Sequence, residues 1–351
     1  MKALTYQGIR KVSVERVDDP EILNPTDAIV KVHRTAVCGS DLHVWHGRES
    51  GLDSGTIMGH EFCGEVVEVG SGLTQIRKGD QVVSPFTTSC GQCFYCRQGL
   101  TARCTSGELF GWVEDGKGLH GTQAEFVRVP LADSSLVPYS KGLDPSQALL
   151  AGDILATGWH CAVQAGIRPD QTYVILGSGP VGLMALIAAK ALGAEKVIAV
   201  DGIGSRREKA ASLGALTASP EEALSVVKEH TEGRGADAVM EAVGSKGASR
   251  LAVDLLRPGG TYSSVGVHTD ASFAFSPIEA YDKNLTFRFG RCPARHYMPD
   301  LLKRLEEGVL PVEVALTHHW SLDQAAEAYN LFDRKADGCV KIILDPGIGH
   351  I

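Results

Sequence analysis

The chain has 351 residues, which is enough for two domains of ordinary size. Its formal net charge of −8 and the lack of any run of lysines or arginines argue against nucleic acid or an anionic membrane as the main partner. No apolar stretch reaches the ~20 residues of a membrane span, and the N-terminus lacks the apolar core of a signal peptide. We therefore expect a cytoplasmic protein, in which a cluster among its nine cysteines indicates a metal site or catalysis rather than disulfide bonds.

The first 37 residues contain short alternating runs separated by prolines and acidic residues, which predict the strands of a small sheet or barrel. Two short polar segments follow, at residues 38–43 and 59–61, and they carry Cys38 and His60. A single cysteine or histidine is more often structural than functional. The interpretation of both therefore depends on what else the chain contains.

The most specific cluster in the sequence consists of four cysteines, namely Cys90, Cys93, Cys96 and Cys104. Four thiolates at this spacing can close a tetrahedral shell around one zinc ion, and a closed shell leaves no position for a substrate. We interpret residues 88–107, approximately, as a lobe held together by a structural zinc. An iron–sulfur cluster and a loop of free thiols are the alternatives.

Asp153 is a carboxylate in an apolar segment that the sequence predicts to be helical. An unpaired buried charge is costly, so this side chain needs a partner. A helix cap or a salt bridge would be sufficient to explain it.

From residue 171 the pattern changes to alternating strands and helices, which predicts a parallel, doubly wound sheet extending to about residue 267. After the first of these strands comes a glycine-rich turn made of Gly177, Ser178, Gly179, Pro180, Val181 and Gly182. Its glycines suit, in order, a tight turn, close approach to a pyrophosphate, and close packing of helix on strand. The helix that follows offers free N–H groups to phosphates. The pattern ends near residues 285–289, and we expect the remaining tail to complete the N-terminal domain.

With the segment at residues 59–61, the four-cysteine lobe and the glycine-rich turn in this order, the chain resembles the zinc-dependent medium-chain alcohol dehydrogenases over essentially its whole length. The resemblance implies an α/β protein with a GroES-like β-barrel catalytic domain, at residues 1–152 and 291–351. A doubly wound Rossmann NAD-binding domain is inserted at residues 153–290. It also implies an active site in the cleft between the domains, and a homodimer or homotetramer.

The resemblance further implies that Cys38 and His60 bind a catalytic zinc and that the carboxylate of Glu61 lies near the metal. The third ligand in most of the family is cysteine, but this chain has Asp153 there. A branch that contains bacterial secondary-alcohol dehydrogenases and glutathione-independent formaldehyde dehydrogenases places aspartate at that position. One thiolate, one carboxylate and a neutral imidazole still balance the charge of the zinc.

Two further residues are assigned to proton transfer by the same resemblance. Ser40 would receive the proton of the alcohol, and His43 would pass it to solvent. Histidine suits this step because its unperturbed pKa is about 6.5. We expect the zinc to act as a Lewis acid while hydride passes to the nicotinamide.

The resemblance assigns five residues to contacts with the nicotinamide and the pyrophosphate. Thr157 would lie under the nicotinamide. Val243, Val265 and Gly266 would stand at strand ends facing the ring, and Lys341 would meet the pyrophosphate.

Asp201 ends the strand after the glycine-rich helix and is predicted to select the cofactor. Its carboxylate can hold both hydroxyls of an adenosine ribose and repel a 2′-phosphate, which favours NAD over NADP. Arg206 and Arg207 follow closely and would soften that repulsion.

The predicted function is therefore that of a zinc-dependent NAD(H) alcohol dehydrogenase, which interconverts an alcohol, with secondary alcohols favoured, and its ketone or aldehyde. An aldehyde-oxidising or dismutating enzyme and a polyol dehydrogenase are alternatives within the family. A zinc-free quinone or enoyl reductase would have no need of the three zinc ligands together. A non-catalytic module that binds a partner through the four-cysteine lobe is the most remote alternative.

Overall fold

The computed structural model describes residues 1–347 as a mixed α/β protein. Its strands are β1 (Lys2–Gly8), β2 (Lys11–Arg16), β3 (Ala28–Val37), β4 (Phe62–Val69), β5 (Gln81–Val83), β6 (Trp112–Glu114), β7 (Lys117–Leu119), β8 (Phe126–Val129), β9 (Val137–Pro138), β10 (Thr172–Leu176), β11 (Lys196–Val200), β12 (Leu216–Ala218), β13 (Ala236–Glu241), β14 (Leu256–Ser264), β15 (Thr286–Phe289), β16 (Leu316–Ser321) and β17 (Lys341–Asp345). Its α-helices are α1 (Asp41–Trp45), α2 (Phe94–Arg97), α3 (Ala132–Ser135), α4 (Pro145–Leu150), α5 (Ile154–Ala165), α6 (Pro180–Ala191), α7 (Gly204–Ser212), α8 (Ala223–His230), α9 (Lys246–Leu255), α10 (Pro277–Asp282), α11 (Ala294–Glu306) and α12 (Ala325–Arg334). Within the described range, no helix is long and apolar enough to cross a membrane.

The chain divides into two compact units. The first comprises residues 1–156, 293–309 and 315 onward, and the second comprises residues 157–292 and 310–314. The sequence predicted boundaries at 152/153 and 290/291, and it did not foresee that the short segment 310–314 packs with the second unit. The last four residues of the predicted catalytic domain, 348–351, lie outside the described residues.

The first unit is built on a seven-stranded sheet. Its strands follow the order β16-β17-β3-β4-β5-β9, and β8 pairs with the long strand β3 as well. All of these pairs are antiparallel except β16 with β17. One core cluster covers this sheet with small and β-branched side chains such as Val30, Val66 and Val127. The alternating runs of the N-terminal sequence form strands, as their pattern predicted, but only β3 belongs to this sheet, whereas β1 and β2 pair with each other in a separate two-stranded sheet.

The second unit is built on a six-stranded parallel sheet with the order β12-β11-β10-β13-β14-β15. Every residue of the central strand β10 is buried, as expected for a parallel sheet with helices on both faces. The strand order reverses between β10 and β13, so the carboxyl ends of these two strands border the crevice where such sheets bind ligands. This confirms the predicted doubly wound parallel sheet.

Candidate zinc and nucleotide sites

The first candidate site is formed by three side chains that are far apart in sequence. Cys38 follows β3, His60 precedes β4, and Asp153 stands directly before α5. Strands β3 and β4 are antiparallel and place Thr35 opposite Phe62, so the end of one strand meets the start of the other. All three side chains are buried in the first unit. The structure thus brings the three predicted zinc ligands together.

The spacing of these side chains is that of ligands to one metal ion. The distance from Cys38 Sγ to Asp153 Oδ2 is 3.4 Å, and the distance from His60 Nε2 to the same oxygen is 3.3 Å. One ligand atom of Glu61 lies within 4.8 Å of the corresponding atoms of all three. Zinc bonds of about 2.0–2.3 Å at tetrahedral angles place neighbouring ligand atoms roughly 3.3–3.8 Å apart. The three residues therefore fit a tetrahedral zinc with one position left for a substrate.

Mutual contact shifts the pKa values of these groups. Burial by itself raises the pKa of Asp153, but the hydrogen bond and the charge of His60 outweigh burial and give a pKa of about 2. Burial lowers the pKa of His60, yet the charge of Asp41 and the bonds with Asp153 and Cys38 raise it well above its usual 6.5. Burial, followed by the charge of Asp153, raises the pKa of the Cys38 thiol. The site therefore holds protons that a divalent cation would displace.

Asp41 is a site residue that the sequence analysis missed. Its Oδ1 lies 3.2 Å from His60 Nδ1, and its Oδ2 accepts from the backbone N–H of Cys38 at 2.9 Å. A carboxylate that accepts from the second ring nitrogen of a ligating histidine fixes the tautomer that leaves the other nitrogen for the metal. The only sequence signal for Asp41 was its position three residues after Cys38. An acidic residue there is equally typical of the start of a helix.

Glu61 and Lys341 form a buried ion pair in the same unit. Both side chains are 0% exposed, and the ammonium of Lys341 bonds to Glu61 Oε1. Burial raises the pKa of Glu61. Burial lowers the pKa of Lys341, but the charges of Glu61, Cys38 and Asp153 reverse this and raise it. The pairing gives Lys341 a role that the sequence did not predict, whereas its pyrophosphate contact stays a prediction.

Ser40 is the N-cap residue of the short helix α1, and His43 lies within that helix. The Ser40 hydroxyl makes no capping bond to the helix, and its Oγ lies 3.2 Å from His60 Nε2. His43 is half-buried, its Nδ1 has no hydrogen-bond partner among residues 1–347, and burial lowers its pKa. A serine hydroxyl at the ligand set and a largely neutral imidazole on the same helix suit proton transfer. The relay itself remains a prediction.

The second candidate metal site is the four-cysteine lobe. The sulfurs of Cys90, Cys93, Cys96 and Cys104 all lie within 4.8 Å of one another. The backbone N–H of Cys93 points to Cys90 Sγ at 3.3 Å, and that of Cys96 to Cys93 Sγ at 3.5 Å. The bond from the Cys96 N–H is the main reason why the pKa of Cys93 falls to about 6. Helix α2 in this lobe buries none of its residues. A metal ion bound by the four thiols would therefore hold the lobe together in place of a hydrophobic core.

The glycine-rich turn lies between β10 and α6 in the second unit. Gly177 has φ +88°, and a Cβ added there would lie 2.6 Å from Val243 Cγ2. A Cβ on Gly182 would overlap the carbonyl oxygen of Gly177, so the turn and the first turn of α6 are in direct backbone contact. Pro180 stands at the first position of α6, and the N-cap Gly179 makes no side-chain capping bond. The helix therefore begins with N–H groups that are available to an anion.

Asp201 lies beside this turn, at the end of β11. Its Oδ2 accepts from the backbone N–H of Ser178, and its Oδ1 from that of Ile203, both at 2.8 Å. Each carboxylate oxygen retains a second lone pair for a ligand hydroxyl. The guanidinium of Arg206 also approaches the turn, within 3.2 Å of a Cβ built on Gly179. Asp201 thus also anchors the turn, which the sequence analysis did not foresee.

Four more predicted cofactor residues lie in the second unit. Thr157 is buried in α5, and Val243 is half exposed just after β13. Val265 and Gly266 follow β14, where Ser264 pairs with the last residue of β13. The last three therefore stand side by side at the carboxyl edge of the sheet. Contact of any of these residues with a cofactor remains a prediction.

Comparison with known proteins agrees with this geometry. The family description "Alcohol dehydrogenase GroES-like domain" matches residues 24–140, and "Zinc-binding dehydrogenase" matches residues 180–307. The chain is 46% identical to zinc-type alcohol dehydrogenase B of Aspergillus flavus, over 95% of this chain and 79% of the relative.

Two solved structures extend the likeness to the whole fold. Alcohol dehydrogenase TADH from Thermus sp. ATN1 superposes with a TM-score of 0.92 at 39% identity, covering 98% of this chain and 99% of that one. Zinc-dependent alcohol dehydrogenase 2 from Streptococcus pneumonia gives a TM-score of 0.90 at 35% identity over all of both chains. The chain is therefore an oxidoreductase with a GroES-like domain and a Rossmann-type sheet, and it belongs to the zinc-dependent medium-chain alcohol dehydrogenase family.

Proposed function

We propose that the protein is an NAD(H)-dependent alcohol dehydrogenase whose catalytic zinc is held by Cys38, His60 and Asp153. The observation that carries the proposal is that Cys38 Sγ and His60 Nε2 lie 3.4 Å and 3.3 Å from Asp153 Oδ2 in a buried site. Aspartate as third ligand supports the branch of the family that contains secondary-alcohol dehydrogenases. We propose a second, structural zinc in the four-cysteine lobe.

Each site residue of the first unit has a separate role in the proposed reaction. Zinc, when bound, supplies a Lewis acid that lowers the pKa of a substrate hydroxyl. Ser40 takes up the hydroxyl proton, and His43 releases it to solvent. Asp41 holds the ring of His60 in the ligating tautomer, and Glu61 is kept in place by its ion pair. The residues of the glycine-rich turn hold the cofactor that accepts the hydride.

The choice of NAD over NADP is proposed from Asp201. Its Oδ2 accepts from Ser178 in the glycine-rich turn and its Oδ1 from Ile203, so a 2′-phosphate on a ribose bound at this carboxylate would meet a like charge. Arg206 lies over Gly179, so we assign its charge to the phosphates of the turn rather than to a 2′-phosphate.

Self-association is proposed from the edge strand β15. It is the outer strand of the six-stranded sheet, and three of its four residues are exposed. Exposed edge strands invite pairing with another chain, and the nearby rings of Phe273 and Phe289 are 56% and 38% exposed. A homodimer, alone or as half of a tetramer, would cover this edge. We propose the cytoplasm as the compartment.

The test is an assay panel with a matched variant pair. Primary alcohols, secondary alcohols, diols and formaldehyde are each offered with NAD and with NADP, before and after chelation. Asp153→Asn should lose most activity and about half of the bound zinc while its circular dichroism is unchanged. Asp170→Asn, an exposed carboxylate outside both sites, is the control. Full activity and full zinc content in Asp153→Asn would refute the ligand assignment, whereas turnover only with NADP would refute the cofactor assignment.

A further inference from the structure

Glu241 is a buried carboxylate in the second unit with no role in the mechanism above. It is the last residue of β13 and is 0% exposed. Its Oε1 accepts from the backbone N–H groups of Val243 at 2.7 Å and Gly244 at 2.6 Å. Its Oε2 accepts from Ser264 Oγ at 2.7 Å and lies 3.1 Å from His268 Nε2. A carboxylate offers about four lone-pair sites, so this one is fully used by the protein itself.

The backbone of Glu241 also bonds to the segment that follows β14. Its carbonyl oxygen accepts from the N–H groups of Val265 at 3.0 Å and Gly266 at 3.2 Å. One residue therefore ties together two segments that follow neighbouring strands. We name them the β13 loop (residues 242–244) and the β14 loop (residues 265–268).

The two loops are packed against each other without spare room. Gly244 has φ +76°, and a Cβ on it would overlap the carbonyl oxygen of Val267. A Cβ on Gly266 would in turn overlap the backbone nitrogen of Gly244. Movement of one loop must therefore displace the other.

The position of the loops assigns them to one half of the cofactor. A dinucleotide lies across the point where the strand order reverses, here between β10 and β13. The adenosine ribose is assigned to Asp201 on the β11 side. The nicotinamide half must then lie on the other side, over the ends of β13 and β14. This step rests on the proposed NAD-dependent function.

We propose that Glu241 and His268 are a pair of positioning residues, which hold the β13 loop and the β14 loop in the shape that receives the nicotinamide half of the cofactor. Because all acceptor positions of Glu241 are taken, it acts through the loops and touches no ligand. The adenosine half of the site, at the glycine-rich turn and Asp201, does not depend on this pair.

The charges around the pair favour its ionised form. The hydrogen bond to Glu241 raises the pKa of His268, burial opposes this, and the charges of Glu241 and Asp270 add to the rise. Burial alone raises the pKa of Glu241, but the bonds from His268, Ser264 and the β13 loop lower it. The other titratable groups facing Glu241 are Cys161 and Tyr262, whose pKa values are raised chiefly by burial. Asp270 is itself paired with Lys246 at 3.8 Å.

The experiment compares two ligands on the zinc-loaded full chain. NADH binding is followed by fluorescence, and ADP-ribose, which lacks the nicotinamide, by calorimetry. Glu241→Gln keeps the size of the side chain, but when its carbonyl oxygen accepts from the β13 loop, its NH2 group cannot accept from Ser264 and His268. A charged hydrogen bond lost in this way weakens binding by about tenfold or more. We expect that loss for NADH and a change of less than about twofold for ADP-ribose.

His268→Asn provides a second variant, because the ring is partly exposed and its replacement leaves Glu241 its bonds from Ser264 and the β13 loop. It should weaken NADH binding in the same direction. It should also abolish the decrease in wild-type NADH affinity as the pH rises through the pKa of His268. His230→Asn, on the exposed face of α8, is the matched control and should change nothing.

The outcomes separate this inference from the proposed function. Wild-type NADH affinity retained in both variants would overturn the positioning role. Equal weakening of NADH and ADP-ribose would also overturn it, because a general loss of structure has no preference for one half of the ligand. A wild-type chain that binds ADP-ribose but not NADH would refute the proposed cofactor, and the inference with it.

Discussion

Replacing Lys341 with methionine tests whether the charge on Glu61 is balanced within the protein. Both side chains of the pair are completely buried. The other carboxylate oxygen of Glu61, Oε2, is buried and has no hydrogen-bond partner in residues 1–347. In the proposed zinc site the charges of Cys38 and Asp153 already balance the metal. The ammonium of Lys341 is then the counter-charge of Glu61.

Removing one partner of a buried ion pair costs about 3–5 kcal/mol, because the other charge stays buried without compensation. At about 2–4 °C per kcal/mol for a unit of this size, the expected decrease in Tm for Lys341→Met is roughly 6–20 °C. The assay is calorimetric melting of the zinc-loaded protein. Because glutamine carries no charge, the double variant Lys341→Met with Glu61→Gln should recover most of the loss.

The control for this measurement is Lys303→Met. Lys303 Nζ lies 3.9 Å from Glu307 on the surface of α11, and its side chain is 74% exposed. Exposed pairs contribute about 0–1 kcal/mol, so its Tm should change by at most a few degrees. If the Tm of Lys341→Met equalled that of Lys303→Met, or if the double variant had no higher Tm than Lys341→Met, the reasoning would be wrong.

Three further predictions follow from the same geometry. Asp41→Asn should weaken zinc binding at the catalytic site by about 10–100-fold, because His60 loses the carboxylate that orients its ring, and competition with a chromophoric chelator measures this. Gly182→Ala should abolish NADH binding while zinc content stays at the wild-type level; Gly247→Ala, where an added methyl meets nothing within 4 Å, should bind normally. The raised pKa of His268 stabilises the fold fully below its ordinary 6.5 and ceases to do so as the pH rises through the raised value. The Tm difference between wild type and His268→Asn should therefore shrink as the pH rises above 6.5 and through the raised pKa, and a difference that grew would contradict this.

The sequence carried enough information for the parallel sheet and the glycine-rich turn, because each rests on a local pattern of residues. The grouping of Cys38, His60 and Asp153 followed only from the resemblance to a known family, because the three residues are far apart in the chain and none of them indicates a metal site by itself. The glycine-rich turn could be predicted because its requirements are local: a positive φ at Gly177 and contact with Gly182 only five residues later.

The contacts that escaped prediction join distant parts of the chain. Lys341 and Glu61 are separated by 280 positions, and nothing near either residue indicates the other. Glu241 stands at the end of an apolar strand, where an acidic residue reads as the start of a surface turn. Its burial follows from the neighbouring strand β14, which brings Ser264 opposite it. Pairings of this kind are set by strand order, which sequence patterns specify only loosely.

Asp153 shows how an apparent conflict in the sequence can mark a site. Its apolar neighbours predict a buried position, and an isolated carboxylate is costly to bury. In the structure, His60 and Cys38 contact this carboxylate and offset the cost of burying it. The raised pKa values of His60 and Cys38 mean that zinc must displace protons from these two groups when it binds. Zinc affinity should therefore rise with pH until His60 and Cys38 are deprotonated, and the ion should stabilise a fold that already holds its ligands at coordination distance.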